Sequence, residues 1–414
     1  MSLLLSEAST LSLVSVIGRK RMSHKEGKCG YSGIKKNKKK VFLPHLLLLA
    51  LSLIFFHTNF LVAQNALPIT IELVPVDAPC NPEDTRTGLG KVDYEYQIGK
   101  FDVTVAQYCE FLKAVAKKDP HGIYDIDMDE DSAVHCIIRL LNSKKEYEYQ
   151  IVTGRENYPI TIISFLNAIR FCNWMSNDQP KGNQDASTTE DGSYLITEKS
   201  VSLRANATWR LPTDDEWYKA AYFNKNNPTH YWSYSTQSDD PPGNSAAEED
   251  NQEDSLTKNS NYCLHEKPTI VMGSISITPG NSMYPFGFPD LTPVGIFSAS
   301  PGPFGTYDMG GNAKQWTTGV VLYRETQLVT LRGYSRYCGL PWEGHTMDYT
   351  SHSCIGPSLS PCDVSFRLVY MKKIHENDLG PPPFSISYLI KNSGTPESHT
   401  RTWSEYWNLW WSYL

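Results

Sequence analysis

Two stretches decide the fold: Trp209-Arg210-Leu211-Pro212-Thr213-Asp214-Asp215-Glu216-Trp217 and Phe304-Gly305-Thr306-Tyr307-Asp308-Met309-Gly310-Gly311-Asn312-Ala313-Lys314-Gln315-Trp316. In the first, Arg210-Leu211 reads as a strand end, Pro212 fixes a turn and Thr213 caps a helix. Thr213 with Glu216 fits a capping box, in which hydroxyl and carboxylate reciprocally satisfy N–H groups that a helix start leaves free. The helix that follows carries Trp217 and Ala221 at i and i+4, on one face. In the second stretch Gly310, Gly311 and Asn312 stand together, residues that tolerate left-handed backbone and turn carbonyls toward one point. A ring of carbonyls closed by an acidic or amide side chain is the hard-oxygen setting calcium prefers. A metal-free turn packed under Trp316 satisfies the same pattern.

Outward from these stretches, Thr104 caps a helix from Val105 to about Ala116, with Phe111, Leu112 and Val115 on its apolar face. Ser164 caps another over Phe165–Met175, whose Phe165, Ile169, Cys172 and Trp174 point to burial. Strands are expected at Ile69–Val76, Tyr94–Ile98 and Tyr147–Val152. Residues 224–300 are rich in Asn, Ser, Pro, Asp and Gly, which means functional loops or a fold that is mostly loop. Asp125, Asp127, Asp129, Glu130 and Asp131 invite a calcium-loop reading, but an EF-hand needs Gly sixth and Glu twelfth. Those positions hold Glu130 and Cys136, so a solvated acidic turn is expected.

The chain has 414 residues, 38 Lys+Arg against 45 Asp+Glu, and 40% hydrophobic residues. This excludes a multi-span membrane protein, a collagen and a wholly disordered chain. Residues 1–63 hold 10 Lys+Arg against Glu7 and Glu26, leaving the remainder at −15. Such a body has no broad basic face for nucleic acid. Lys35, Lys36, Lys38, Lys39 and Lys40 precede the apolar run Leu46–Phe56, the layout of a secretory signal, with Leu61-Val62-Ala63 as its cleavage region. The alternative is an uncleaved anchor over residues 41–62. Either way the body lies outside the cytoplasm: periplasmic, surface-held or secreted. Of nine cysteines, Cys80, Cys109, Cys136, Cys172, Cys263, Cys338, Cys354 and Cys362 follow the signal. Outside the cytoplasm disulfides persist, but one sequence does not give their connectivity. Cys109 and Cys172, inside helical patterns, read as buried thiols. Zinc spacings such as CxxC or HExxH are missing.

With Tyr96–Thr104 (YQIGKFDVT), Tyr158–Ala168 (YPITIISFLNA), Phe171-Cys172-Asn173-Trp174, Leu331–Ser335 (LRGYS) and Ser365–Val369 (SFRLV), the two opening stretches resemble, in this order, the formylglycine-generating enzyme or sulfatase-modifying factor family. The resemblance runs from about Tyr94 to Tyr370. It implies a loop-rich α+β fold, C-type-lectin-like in architecture. The organisation expected is residues 1–63 as signal or anchor, 64–93 as lead-in, 94–370 as the domain and 371–414 as a tail. In the family the glycine-rich loop binds calcium, which carries over to Gly310, Asn312, Ala313 and Gln315; Gln315 replaces the family's Glu, so one charge is lost. A second calcium site uses an Asn-aromatic pair, matched by Asn261-Tyr262, and a later DGF-like triplet. Phe286-Gly287-Phe288 stands there without the carboxylate.

The resemblance assigns catalysis to Cys338, Ser335 and Trp316. Family enzymes hold Cu(I) between two cysteines spaced C-x4-C and use oxygen to convert a substrate cysteine to formylglycine. Here Cys338 takes the first position and Glu343 the second, and a hard carboxylate does not complete a bis-thiolate copper site. Cys338, Cys354 and Cys362 remain open to a bracing disulfide, a copper pair or free thiols. The H-x3-H-x-E pattern of the ergothioneine sulfoxide synthase branch is missing.

Two functions compete. One is an exported binding or accessory module that kept the scaffold and lost the copper pair, with Tyr231-Trp232-Ser233-Tyr234 and Tyr337 to Tyr349 as a ligand surface or as core packing. The other is oxidation of a cysteine in a protein substrate such as a sulfatase. Trp403, Trp407, Trp410 and Trp411 give the tail one aromatic face suited to a membrane interface or a partner groove. Membrane contact is expected only through that tail or residues 41–62.

Overall fold

Side-chain caps start the helices where local sequence rules place them. Thr104 Oγ1 accepts the Gln107 N–H at 3.3 Å while Gln107 Oε1 accepts the Thr104 N–H at 2.9 Å. Thr213 Oγ1 and Glu216 Oε2 close the same reciprocal box at 3.1 and 2.8 Å, and Ser164 Oγ accepts the Asn167 N–H at 3.2 Å. Each box satisfies two donors that the first turn leaves orphaned.

The computed structural model describes residues 68–131, 134–242, 260, 269–271, 274–276, 291–335, 348–371 and 383–387. The signal or anchor, the Asn261-Tyr262 and Phe286–Phe288 segments, Cys338, Glu343 and the four tail tryptophans lie outside them. In chain order the elements are β1 (Leu73–Val76), β2 (Tyr96–Gly99), α1 (Val105–Val115), α2 (Asp127–Glu130), β3 (Ile137–Leu141), β4 (Tyr147–Ile151), α3 (Phe165–Ser176), β5 (Tyr194–Ile196), β6 (Ser200–Leu203), β7 (Trp209–Arg210) and α4 (Asp214–Tyr222). Then follow β8 (Thr269–Val271), β9 (Ser274–Ser276), β10 (Lys314–Tyr323), β11 (Thr326–Arg332), β12 (His352–Ile355), β13 (Val364–Ser365), β14 (Val369–Tyr370) and β15 (Ser385–Ser387).

Two four-stranded sheets carry the site, ordered β1-β2-β14-β7 and β12-β11-β10-β13. In the first, Val369 of β14 lies opposite both Ile98 and Arg210. In the second, Gln315 of β10 lies opposite Arg332 on one side and Ser365 on the other. Between β13 and β14 the chain runs only three residues, so Arg367 falls where the two sheets meet. The main core joins α1 and α3 to these sheets through Phe111, Phe171, Trp174 and Phe366, whose rings meet at centroid distances of 5.2–5.6 Å. Each such buried ring contributes about 1.5–3 kcal/mol over leaving it in water.

Strand pairing ties both flanks of residues 94–370 to the domain. The lead-in is not separate: β1 pairs antiparallel with β2 from Leu73↔Gly99 to Val76↔Tyr96, so the domain begins before residue 94. Nor is the tail wholly apart, since β15 pairs with β6 and Phe384 packs on Phe165. Both additions rest on long-range strand pairing, which local periodicity does not reveal. The acidic run forms the single helical turn α2, in which only Met128 is buried.

Candidate functional site

The glycine-rich loop is bent by three left-handed residues, Asp308 (φ 56°), Gly311 (φ 100°) and Asn312 (φ 62°). Side chains then hold the bends. Asp308 Oδ2 accepts the Gly295 N–H at 2.7 Å. Asn312 accepts from the Thr292 N–H and donates to the Thr292 carbonyl, each at 3.0 Å. Gly311 N–H donates to the Tyr334 carbonyl at 2.9 Å, and the Gly310 carbonyl accepts from the Ser260 hydroxyl. Ala313 is fully buried.

Gln315 sits at the centre of this arrangement. Its Oε1 accepts from Trp217 Nε1 at 2.6 Å and from Arg367 Nε at 2.7 Å. Its Nε2 donates to the Asp308 carbonyl at 2.8 Å and to Asp102 Oδ2 at 3.4 Å. Calcium needs six to eight oxygens, yet Gln315 turns an N–H group, not an oxygen, toward the loop carbonyl. As folded, the Gln315 side chain offers the loop no oxygen for calcium. Its oxygen is already committed to an indole and a guanidinium.

Arg367, fully buried, also donates to the carbonyls of Gly99 (2.8 Å) and Tyr307 (2.7 Å). Its Nη2 lies 3.7 Å from Asp102 Oδ1, too far for a hydrogen bond, and that oxygen has no partner among the described residues. Burial therefore dominates at Asp102: its pKa is pushed up to about 8, against the pull of Arg367 and with a further push from Asp308. Burial also raises Asp308 and lowers Arg367.

A second buried pair braces the first stretch. Arg210 binds Glu216 through two hydrogen bonds, Nη1 to Oε2 at 2.6 Å and Nη2 to Oε1 at 2.5 Å. Tyr94 adds its hydroxyl to Oε1 at 2.9 Å. Burial alone would raise the Glu216 pKa; the Arg210 charge and these hydrogen bonds overcome it and hold the carboxyl below its ordinary value.

Of the expected catalytic residues, Trp316 and Ser335 lie among the described residues and Cys338 does not. Trp316 is buried, its Nε1 donating to the Ile163 carbonyl at 2.8 Å with its ring edge-on to Phe165. Ser335 is also buried, its hydroxyl donating to Asp363 Oδ2 at 2.7 Å. Cys354 lies on β12 opposite Thr330, and Cys362 just precedes β13; among the described cysteines none is bridged to another. Cys109 and Cys172 are buried in helices, and burial pushes the Cys109 thiol up to about 11. In the aromatic loops, Tyr231 is a core residue bonded to Asn81 and Gly90, while Trp232 and Tyr234 are half-buried. Tyr349 lies under the Arg86 guanidinium at 3.7 Å.

Sequence reasoning missed Asp102, Asp308 and Arg367 as one cluster. The available signal was that Asp102 and Arg367 sit inside two of the quoted family segments although charged residues seldom belong in strand-flanking apolar runs.

Residues 90–371 match the model of the sulfatase-modifying factor enzyme 1-like domain. Among solved structures the chain is similar to CarF, at 19% identity and TM-score 0.42 over 73% of this chain and 98% of that one. It is similar to variable protein 1 of Treponema denticola at 16% identity and TM-score 0.40, over 73% of this chain and 95% of that one. PvdO from Pseudomonas aeruginosa follows at 14% identity and TM-score 0.37, over 74% and 99%. No curated protein matches at a significant level.

Proposed function

The chain belongs to the family of sulfatase-modifying factor enzyme 1-like domains, and from that premise we propose that it is an exported binding or accessory module that keeps the family scaffold without the copper pair. The observation that carries this reading is Glu343 at the position where the resemblance requires a second thiol after Cys338. Soft Cu(I) is held by paired thiolates and poorly by one thiolate beside a carboxylate. The retained loop supports the scaffold half of the reading, because the Gln315 and Arg210 networks hold the loops in one shape without a reactive group among them. A rigid frame presenting loops suits recognition of a ligand or a protein partner.

A second reading keeps one specific support. Cys354 stands on the strand next to β11, the strand that leads into the Cys338 segment. A thiolate pair from these two residues would leave room for oxidation of a substrate cysteine, as in a sulfatase. Titrating the reduced protein with Cu(I), with and without Cys338→Ser, separates the two. No tight binding is expected. Tight binding lost in Cys338→Ser and in Cys354→Ser, with oxygen uptake on a cysteine-containing sulfatase peptide, would overturn the proposal in favour of the oxidase.

A further inference from the structure

We propose that the end of the β3–β4 hairpin is a membrane-contact site, where Leu140 and Leu141 enter the interface of a bilayer and four lysines around them hold anionic phospholipid headgroups.

β3 and β4 form a two-stranded sheet of their own. At its end Leu140 is 41% exposed and Leu141 64% exposed. Consecutive strand residues point to opposite faces, and the register sets Leu141 against Tyr147 and Leu140 against Glu148. On the Leu141 face the apolar packing stops one residue short. The Arg139 guanidinium lies over the rings of Tyr124 and Tyr147, 4.4 and 4.5 Å from their centroids. Both leucines are thus left outside, one on each face. A flat protein surface laid against the hairpin covers one of them. A medium that closes round the hairpin end covers both, as the headgroup and acyl boundary of a bilayer does.

Charge selects the lipid. Lys144 and Lys145 lie in the turn, where Asn142 Oδ1 accepts the N–H groups of Lys144 and Glu146 at 2.9 and 3.0 Å. Lys145 takes the left-handed place (φ 60°) that glycine commonly fills in such turns. Lys117 and Lys118 follow α1, and the Lys117 carbonyl accepts the Tyr147 N–H at 2.9 Å, which brings this segment alongside the hairpin. All four lysines are exposed, and the lysine ion pairs among the described residues involve others. Of the neighbouring acids, Glu148 accepts from Asn142 Nδ2 at 3.0 Å, Asp119 accepts the N–H groups of Ile123 and Tyr124, and Glu146 is half-buried. Four unpaired cations are a local exception on a body of net charge −15. Their long stems let the leucines sink while the ammonium groups stay at headgroup level.

Amide hydrogen exchange of the full chain tests this, because it reads the hairpin itself whatever residues 41–62 or the tail do on a vesicle. The probes are vesicles of phosphatidylcholine alone and of phosphatidylcholine mixed with phosphatidylglycerol. Amides of residues 140–147 are expected to exchange several-fold more slowly on the charged vesicles, to be unaffected by the neutral ones, and to lose the effect as salt is raised. The double variants Lys144→Gln/Lys145→Gln and Leu140→Ser/Leu141→Ser change exposed side chains, so each is expected to keep the wild-type unfolding midpoint and to lose the slowing. No slowing on charged vesicles overturns the proposal, as does slowing that neutral vesicles match or that both double variants retain. Slowing that appears without lipid as protein concentration rises would make the hairpin end a contact between copies and overturn it too. None of these outcomes depends on whether copper binds elsewhere.

Discussion

Glu216→Gln probes a fully buried carboxylate. It accepts four hydrogen bonds: two from Arg210, one from Tyr94 and one from the Thr213 N–H. A glutamine of the same shape keeps one oxygen and turns an NH2 group on whichever pair of donors shared the other. Two bonds are lost, at least one of them charge-assisted, and such bonds are worth about 1.5–3 kcal/mol each. Arg210, itself fully buried, keeps its charge without a counter-charge, and breaking a buried pair in this way costs roughly 3–5 kcal/mol. These two figures describe the same event from two sides, so the expected loss is about 4 kcal/mol, a large share of an ordinary stability of about 5–15 kcal/mol. Urea unfolding should show a lower midpoint with an unchanged slope. The gap should close in acid: the folded Glu216 pKa lies below its unfolded value, so its contribution is full above the unfolded pKa and fades as pH falls through the folded one. A loss under about 1 kcal/mol near neutrality would refute the reasoning.

Other substitutions test separate parts of the structure. Thr213→Ala removes the hydroxyl half of its capping box and should cost about 1 kcal/mol in urea unfolding; Asp214→Ala, which adds no cap, is the wrong control because Asp214 pairs with Arg332 at 3.1 Å. Gly333→Ala meets two penalties, a φ of +78° and a Cβ placed 2.5 Å from the Met309 carbonyl. It should lower stability by roughly 1–3 kcal/mol or more, and an unchanged unfolding midpoint would contradict that geometry. Asp102→Asn tests the sign of a pH effect. Folded Asp102 keeps its proton up to about pH 8, whereas an unfolded aspartate loses it near pH 4. Between those values the native state binds the extra proton, so this group destabilises increasingly as pH rises. The stability of Asp102→Asn relative to the wild type should grow from pH 4.5 to 8, and a pH-independent difference would argue against a neutral Asp102.

What the sequence disclosed was local. Thr104, Ser164 and Thr213 announce their helices because a cap depends on neighbours three residues away, and the helices begin at Val105, Phe165 and Asp214 as read. Family segments also disclosed the fold. Pairing was the part hidden from view. Arg210 with Glu216 spans six residues and is half-visible in the capping box, but Asp102, Gln315 and Arg367 come from three distant segments. Only the β2–β14 and β10–β13 registers bring them together. Gln315 itself was singled out from sequence as a lost charge; the direction in which its amide points depends on Trp217 and Arg367 and could not be read from it.

The position of β14 between β2 and β7 has a bearing on how the chain reaches its fold during synthesis. Both flanking strands are made early and wait for a two-residue strand near the end of the domain. At a translation rate of roughly 5–20 residues per second, the wait from β2 to β14 is on the order of tens of seconds. Throughout it the inner edges of β2 and β7 lack their native partner, and the guanidinium that organises Gln315 has not yet been made. Pairings of such sequence separation make folding slow. A nascent chain halted before Ser365 would thus present open strand edges and an uncompensated amide cluster, a form prone to association and suited to capture by a holding chaperone.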